Sequence, residues 1–318
     1  MMQISPETQL FIREHSSDDV RVLALQAKKY PDIDMPTAIT QIAGRKVAAE
    51  KIPSWWEIEK IWYPKHLSLE QCSSEITARY KARLLQGDSL TDLTGGFGID
   101  CSFLATGFKS ATYVERQEEL CEIAAHNFPV LNLNHINIKN EDGVTYLQVM
   151  SPVDSLFLDP ARRNEHGGKT VAISDCEPNV AELEELLLQK ANRVMIKLSP
   201  MLDLSLALKE LKQTQEVHIL SVNNECKELL ILLGQTSPAE ISIHCVNLFT
   251  KGTQKEQHFV FTREQEQCSE CTYTDSLETY LYEPNASLLK AGAFRSIAAA
   301  YPVRKLHPNS HLYTSDTF

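Results

Sequence analysis

The chain has 318 residues, of which 43% are hydrophobic and 23% charged, and its formal net charge at pH 7 is -11. This composition is ordinary for a globular protein, and the acidic balance argues against a surface that attracts nucleic acid as a whole, although a local basic patch could still bind RNA. With no run of about 18 uncharged apolar residues and no basic start before an apolar N-terminal core, we expect no membrane span, no signal peptide and a cytoplasmic location.

The eight cysteines are scattered, and several lie inside apolar runs, as Cys245 does in EISIHCVNLF. This usage fits reduced, buried thiols better than a disulfide framework. Cys268 and Cys271 form one CxxC, but a structural zinc site usually needs a second ligand pair. His244 and His258 are the nearby histidines, and their spacing is irregular. We therefore expect a solvent-facing loop at the CxxC and no metal site.

The first part of the chain, from about residue 6 to residue 86, is expected to be helical. FIREHSSDDVRVLALQA, MPTAITQIAGRKVAAEK and EITARYKARLLQ carry apolar residues at three- and four-residue spacing. Pro31, Pro36 and Pro53 separate these segments.

From Ser89 onward, short apolar runs alternate with helical segments, which predicts an α/β fold with a parallel sheet and helices on both faces. Strands are predicted at SLTDLT, ATYVE, HINIKN, DSLFLD, RVMIKLS and VHILSV. Helices are predicted at GIDCSFLATG, QEELCEIAAHNF, DGVTYLQVM, NVAELEELLLQKA and LDLSLALKEL. KELLILLG, EISIHCVNLFTK and EQHFVFTRE then follow as strands without helices between them, so we expect an antiparallel edge or hairpin there.

A glycine-rich turn, LTDLTGGFGID at residues 90–100, lies where the first strand should end. Gly95, Gly96 and Gly98 would let the backbone approach a ligand, and the following helix N-terminus offers free N–H groups. Dinucleotide enzymes use GxGxxG at this place, whereas this chain has GGFG. Enzymes that bind S-adenosylmethionine instead place an acid just before the glycines, where it pairs with the cationic amino group of the methionine part. Asp92 lies at this position. A turn without ligand is the alternative interpretation.

Two further acids follow later strands. Glu115 ends the strand in ATYVERQ, where an acid can accept hydrogen bonds from both ribose hydroxyls of a nucleoside. An acid placed to suit the dipole of the next helix is the alternative. Asp142, in KNEDG, lies where an acid commonly meets the adenine amino group, and a helix N-cap explains it almost equally well.

Asp159 and Pro160, in DSLFLDPARR, end a strongly apolar strand, so the carboxylate should face the ligand crevice. Proline stiffens the turn, and an acid held beside a methyl donor can orient a nucleophile or take its proton. A plain Asp-Pro turn competes with this interpretation. The second proline and the aromatic residue that methylases of exocyclic amines tend to carry here are absent, and Ala161-Arg162 stand in their place, which argues against base stacking at this position. Methylation of a pyrimidine carbon needs a cysteine nucleophile near the end of the fourth or fifth strand. It is disfavoured here, because the fifth strand ends in KLSPM and Cys226 lies only after the sixth strand.

A basic loop, ARRNEHGGK, comes directly after Asp159 in an otherwise acidic chain. Phosphate binding beside the crevice and a solvated loop are both consistent with it. The candidate substrate contacts are Arg162, Arg163 and Lys169 in this loop, together with Lys197 on a later strand.

Taken in order, D-x-x-x-G-x-G, a strand-end acid, a loop acid and D-P resemble class I S-adenosylmethionine-dependent methyltransferases. More closely, the chain resembles a bacterial group of methyltransferases with THUMP-like domains. The residues that carry this resemblance are QIAGRKVAAEKIPSWW, LSLEQCSSEITARYKARLL, DLTGGFGIDCSFLA, FLDPARR, MIKLSPMLD and YEPNASLLKAGAF. It implies an N-terminal helical domain (1–75), a Rossmann-like methyltransferase domain (76–275) and a small ferredoxin-like α+β segment (276–318), with the THUMP-like domain that would follow absent.

The resemblance implies S-adenosylmethionine as the cofactor and RNA as the partner, with direct methyl transfer helped by Asp159 and Pro160. The segment SSEITARYKA would pack under the cofactor, where Tyr80 or Lys81 could touch it. The implied cofactor contacts are Tyr80, Lys81, Asp92, Thr94, Gly95, Gly96, Phe97, Gly98, Glu115, Arg116, Asp142 and Gly143. A small-molecule methyltransferase and a non-catalytic module that binds RNA or protein remain open, while an oxidoreductase is disfavoured by the missing GxGxxG.

Overall fold

The computed structural model describes residues 4–162, 172–236 and 238–318. The chain forms two compact units, Met1–Leu156 and Phe157–Phe318. The domain boundaries expected after residues 75 and 275 stay predictions. Arg163 and Lys169, two of the predicted substrate contacts, lie outside the described residues.

The first unit begins with helices, as the apolar spacing predicts. They are α1 (Pro6–Glu14), α2 (Val20–Leu25), α3 (Met35–Lys51), α4 (Pro53–Trp56), α5 (His66–Gln71) and α6 (Glu75–Ala82). The segment FIREHSSDDVRVLALQA, predicted to be helical, is divided between α1 and α2. The division has a local cause, because Asp19 accepts the backbone N–H of Arg21 at 2.7 Å and so caps a new helix.

A parallel sheet follows in the same unit. Its elements are β1 (Ser89–Asp92), α7 (Ile99–Ala105), β2 (Ser110–Glu115), α8 (Glu118–Val130), β3 (Ile136–Asn140), α9 (Gly143–Val149) and β4 (Val153–Leu158). The strand order is β4-β1-β2-β3, and the unit boundary falls within β4. β1 pairs in parallel with β2, and β2 with β3. The predicted strands and helices of this stretch are confirmed, and the carboxyl ends of the parallel strands meet at one edge.

The second unit starts in β4, alternates between helices and strands over residues 180–222, and then continues with consecutive strands. Its next elements are β5 (Ala161–Arg162), β6 (Cys176–Glu177), α10 (Val180–Lys190), β7 (Ala191–Leu198), α11 (Leu204–Glu210), β8 (Thr214–Val222), β9 (Glu225–Gly234), β10 (Ser242–Leu248), β11 (Glu256–Thr262) and α12 (Arg263–Cys268). The main strands lie in the order β11-β10-β8-β9-β7. β10 is parallel to β8, and the predicted antiparallel hairpin of β10 and β11 is confirmed.

The strands are not all parallel, because β9 lies between β7 and β8 and runs antiparallel to both. The cause is the two-residue turn that joins β8 to β9. Asn223 and Asn224 both have positive φ, 48° and 65°. Such a turn closes a hairpin and cannot make the crossover that parallel neighbours need. Antiparallel pairing of KELLILLG, which the sequence places at an edge or in a hairpin, therefore occurs inside the sheet.

The C-terminal part of the second unit is a small α+β arrangement. Its elements are β12 (Tyr280–Tyr282), α13 (Ala286–Ala291), α14 (Phe294–Ala300), β13 (Arg304–Lys305) and β14 (Tyr313–Ser315). The three strands form an antiparallel sheet in the order β12-β14-β13. Over the part of the chain that the structure describes, no helix has the length and apolar character needed to cross a membrane.

Candidate functional site

The glycine-rich turn between β1 and α7 has a backbone that side chains would disturb. Gly96 and Gly98 have φ values of +53° and +86°, in the left-handed region that favours glycine. Gly95 is needed for space, since a Cβ there would lie 2.2 Å from Cε2 of Tyr113. At Gly96 the same added atom would meet only the Thr94 carbonyl oxygen, at 3.8 Å. The turn is thus packed on its Gly95 side and open at Gly96.

Tyr113 supports this turn from β2. Its side chain is fully buried, and its hydroxyl donates to the carbonyl oxygen of Gly96 at 2.5 Å. The ring meets that of Phe128 edge-on, with centroids 5.5 Å apart. Burial, followed by the charge of Glu115, raises the pKa of Tyr113 well above its usual range. The phenol therefore remains a proton donor to the turn.

Glu115, at the end of β2, points its carboxylate at the same turn. Oε2 accepts the backbone N–H of Gly96 at 2.9 Å, and Oε1 accepts that of Gln117 at 2.8 Å. The residue is 9% exposed. Each oxygen has a further lone pair, so the carboxylate can accept additional hydroxyl donors without moving.

Asp92, at the end of β1, is 1% exposed. Its Oδ1 accepts the backbone N–H of Thr94 at 2.9 Å, which holds the carboxylate against the start of the turn. Asp92 and Glu115 thus both bond to the turn that begins after β1. This arrangement places two carboxylates around one open glycine backbone, and a contact of either with a cofactor stays a prediction.

Asp142 precedes α9 and caps it. Its Oδ1 accepts the backbone N–H groups of Val144 at 3.1 Å and Thr145 at 3.0 Å. The N-cap interpretation is therefore correct. Asp142 is exposed, and a contact of its other carboxylate oxygen, Oδ2, with adenine stays a prediction. Gly143 brings α9 close to the turn, since a Cβ there would lie 2.1 Å from the carbonyl oxygen of Leu93.

The remaining predicted cofactor residues lie in different surroundings. The Phe97 side chain is in the core, with its ring 5.2 Å from that of Trp55, so its backbone is the part that can contact a cofactor. Tyr80 is 5% exposed, and the Arg83 guanidinium lies over its ring, 4.6 Å from the ring centre. Arg116 is exposed, and its carbonyl oxygen accepts from Asn140 at 3.2 Å.

Lys81 lies fully buried in α6 and makes an ion pair that the sequence analysis missed. Its Nζ is 2.8 Å from Oδ1 of Asp100, in the first turn of α7. Ser73 joins both groups, since its hydroxyl bonds to Asp100 and to the Lys81 ammonium at 2.7 Å each. The ammonium thus holds α7, which the glycine turn enters, against α6, and a direct contact of Lys81 with a cofactor stays a prediction.

Burial makes three thiols poor nucleophiles. Burial, with Glu115 second, raises the pKa of Cys121 to about 11. Burial also raises the pKa of Cys101 well above its usual range and raises that of Cys226. Since the thiolate is the attacking species, Cys226 fits the expectation that it does not serve carbon methylation.

In the second unit, Asp159 follows β4 and pairs with Lys197 of β7. The Lys197 Nζ lies 2.5 Å from Oδ2 of Asp159, and the two side chains are 11% and 36% exposed. Lys197, predicted to bind substrate phosphates, thus contacts the predicted catalytic acid. Pro160 is buried beside it. Spacing along the chain gave no signal for this pair, because its members lie on different strands.

Among solved structures, the chain is similar to a protein from Porphyromonas gingivalis W83 described as a putative methyltransferase. It is 34% identical, and the match covers 100% of this chain and 80% of that chain with a TM-score of 0.86. An rRNA methylase from Streptococcus thermophilus is a remote match: 15% identity, 50% of this chain, 93% of that chain and a TM-score of 0.36. A model of a ferredoxin-like domain family matches residues 280–318, which confirms the predicted ferredoxin-like segment. No curated protein matches.

Proposed function

The chain belongs to the family of the Porphyromonas gingivalis protein described as a putative methyltransferase, and from this premise we propose that it is a class I S-adenosylmethionine-dependent methyltransferase that methylates RNA by direct transfer. The observation that carries the proposal is the pair of strand-end carboxylates, Asp92 and Glu115, bonded to one glycine turn that is open at Gly96. The cofactor supplies a methyl group already activated on a sulfonium sulfur.

The donor set fits that cofactor. Asp92 would pair with the ammonium group of the cofactor. Glu115 would accept hydrogen bonds from the ribose hydroxyls, in addition to those from the two backbone N–H groups that fix its carboxylate. Asp142 would accept from the adenine amine through the carboxylate oxygen that does not cap α9. The protein then needs to supply alignment and exclusion of water rather than a covalent step.

Asp159 is the residue we propose to act on the acceptor. Its carboxylate can accept a hydrogen bond from the atom to be methylated and take the proton that this atom releases. Lys197 is a positioning residue in this scheme, because its ammonium holds the carboxylate at 2.5 Å. Pro160 limits the backbone freedom of the turn that carries Asp159.

RNA as the acceptor rests on the basic run directly after Asp159 in a chain of net charge -11. Arg162, Arg163 and Lys169 would bind phosphates there, and such contacts position a nucleic acid without reading its sequence. A small-molecule acceptor and a non-catalytic binding module are the competing functions that an experiment has to separate.

The test is methyl transfer from tritiated S-adenosylmethionine to total cellular RNA, with a small-molecule extract as the second acceptor. We expect label in the RNA fraction that ribonuclease releases. Asp159→Asn should lower the rate at least about 100-fold while the affinity for S-adenosylhomocysteine is retained. Asp275→Asn, an exposed acid in the same unit, is the matched control.

Each outcome points to one function. Label in the small-molecule fraction alone would replace RNA as the substrate. Cofactor binding by calorimetry without transfer to either fraction would favour the binding module. Failure to bind S-adenosylmethionine or S-adenosylhomocysteine would contradict the whole proposal.

A further inference from the structure

Three side chains on one sheet face of the second unit form a cluster that has no part in the proposed methyl transfer. Glu216 and His218 lie on β8, and His244 lies on β10. Positions 216 and 218 share a face because side chains alternate along a strand. In the parallel register, His244 lies directly opposite His218, so all three project to the same side.

The side chains are close to one another. One ligand atom from each of the three lies within 4.8 Å of the other two. Nε2 of His218 is 3.2 Å from Oε2 of Glu216, and the rings of His218 and His244 stack with centroids 4.2 Å apart. His218 is 2% exposed, while Glu216 and His244 are half-buried, so the cluster is open to entry from one side.

Two neighbours hold the cluster in place. His258, on β11, has its Nε2 3.1 Å from Nδ1 of His244. The Arg193 guanidinium donates to Oε1 of Glu216 at 2.9 Å. Residues that ligate metals through one ring nitrogen are commonly oriented by a bond at the other, and His258 is placed to do this for His244.

We infer that Glu216, His218 and His244 form a binding site for a divalent transition-metal ion, with Zn²⁺ as the ion that suits the ligands. Two imidazoles and one carboxylate are a common zinc ligand set, which leaves a fourth position for water. With bonds of about 2.0–2.2 Å, ligand atoms around a tetrahedral ion lie about 3.3 Å apart. Nε2 of His218 and Oε2 of Glu216 already have about this separation, at 3.2 Å, so a side-chain rotation has to bring a nitrogen of His244 to them. The ion would tie β10 to β8, a role independent of methyl transfer.

The binding test uses the full chain after treatment with a chelator. Zn²⁺ is titrated in competition with a chromophoric chelator, and Co²⁺ is titrated with absorption as the readout. We expect one equivalent bound with micromolar or tighter affinity, and a Co²⁺ spectrum without a thiolate charge-transfer band. His244→Gln and Glu216→Gln should each weaken binding at least about tenfold, and His258→Gln about 10- to 100-fold.

Two controls separate this site from the alternatives. The double variant Cys268→Ser/Cys271→Ser removes the CxxC and should leave Zn²⁺ affinity unchanged, as should His307→Gln, an exposed histidine of the same unit. Circular dichroism of each metal-free variant checks that it is folded, and the partly exposed Glu216 and His258 keep the test valid if His244→Gln does not fold. Absence of stoichiometric binding, wild-type affinity in both His244→Gln and Glu216→Gln, or loss of binding in the cysteine variant would each overturn the inference.

Discussion

Glu115 accepts the backbone N–H of Gly96 at 2.9 Å, which ties the end of β2 to the turn that follows β1. Its other carboxylate oxygen accepts the N–H of Gln117, so the side chain is fixed from two sides before any ligand arrives. A side chain that is fixed in this way loses little conformational entropy when a ligand binds. Glu115 is thus both part of the framework and the proposed ribose acceptor.

Glu115→Gln should weaken binding of S-adenosylhomocysteine by about 1.5–3 kcal/mol, or roughly 10- to 100-fold, because hydrogen bonds to a carboxylate become bonds to a neutral amide. Isothermal titration calorimetry measures the change directly. Glu118→Gln, an exposed acid in the first turn of α8, is the control and should bind as the wild type does. Equal affinity of the two variants would show that Glu115 serves the framework alone.

Gly95→Ala should destabilise the protein by about 1–3 kcal/mol, because the added methyl group overlaps the buried Tyr113 ring at 2.2 Å. Urea unfolding followed by fluorescence gives the free energy of unfolding. Gly107→Ala is the matched control, since a Cβ there meets its nearest atom at 3.8 Å and should change stability by less than about 0.5 kcal/mol. A Gly95 variant as stable as this control would refute the packing argument.

Lys81→Met should cost about 3–5 kcal/mol of stability, because it leaves the Asp100 carboxylate without its cation in a buried position. The exposed pair of Lys65 and Glu119, 2.7 Å apart, offers a comparison. Lys65→Met should change the free energy of unfolding by less than about 1 kcal/mol, since solvent screens that pair. Similar losses in the two variants would mean that the buried pair has no special role.

Asp154→Asn should remove a pH-dependent part of the stability. The carboxylate accepts the backbone N–H groups of Asp88 at 2.8 Å and Ser89 at 2.9 Å, and these bonds lower the pKa of Asp154 below its ordinary 3.8. A lowered folded-state pKa stabilises the protein above 3.8, and this contribution is lost as the pH falls through the folded-state value.

The difference in the free energy of unfolding between wild type and Asp154→Asn should therefore be largest near neutral pH and shrink as the pH drops below 3.8. Denaturant unfolding at a series of pH values measures it. Asp275→Asn, at an exposed loop position, should show no comparable trend. A difference that stays constant with pH would contradict the assigned hydrogen bonds.

The sequence by itself determined the α/β alternation, the helical start of the chain and the positions of Asp92 and Glu115 at strand ends. These features follow from apolar spacing within a few residues and from glycines that mark a turn. The carboxyl ends of parallel strands then share an edge, so acids far apart in the chain could be expected at one site.

Only the tertiary structure decided which side chains meet. Strand order decided the insertion of β9 between β7 and β8 and the cluster of Glu216, His218 and His244. Packing decided two ion pairs, Lys81 with Asp100 and Lys197 with Asp159. Periodicity reports which face of an element is buried, but it carries no information on the partner that this face finds. Which side chains pair across two elements depends on strand register and on burial throughout the fold. Both are properties of the folded chain.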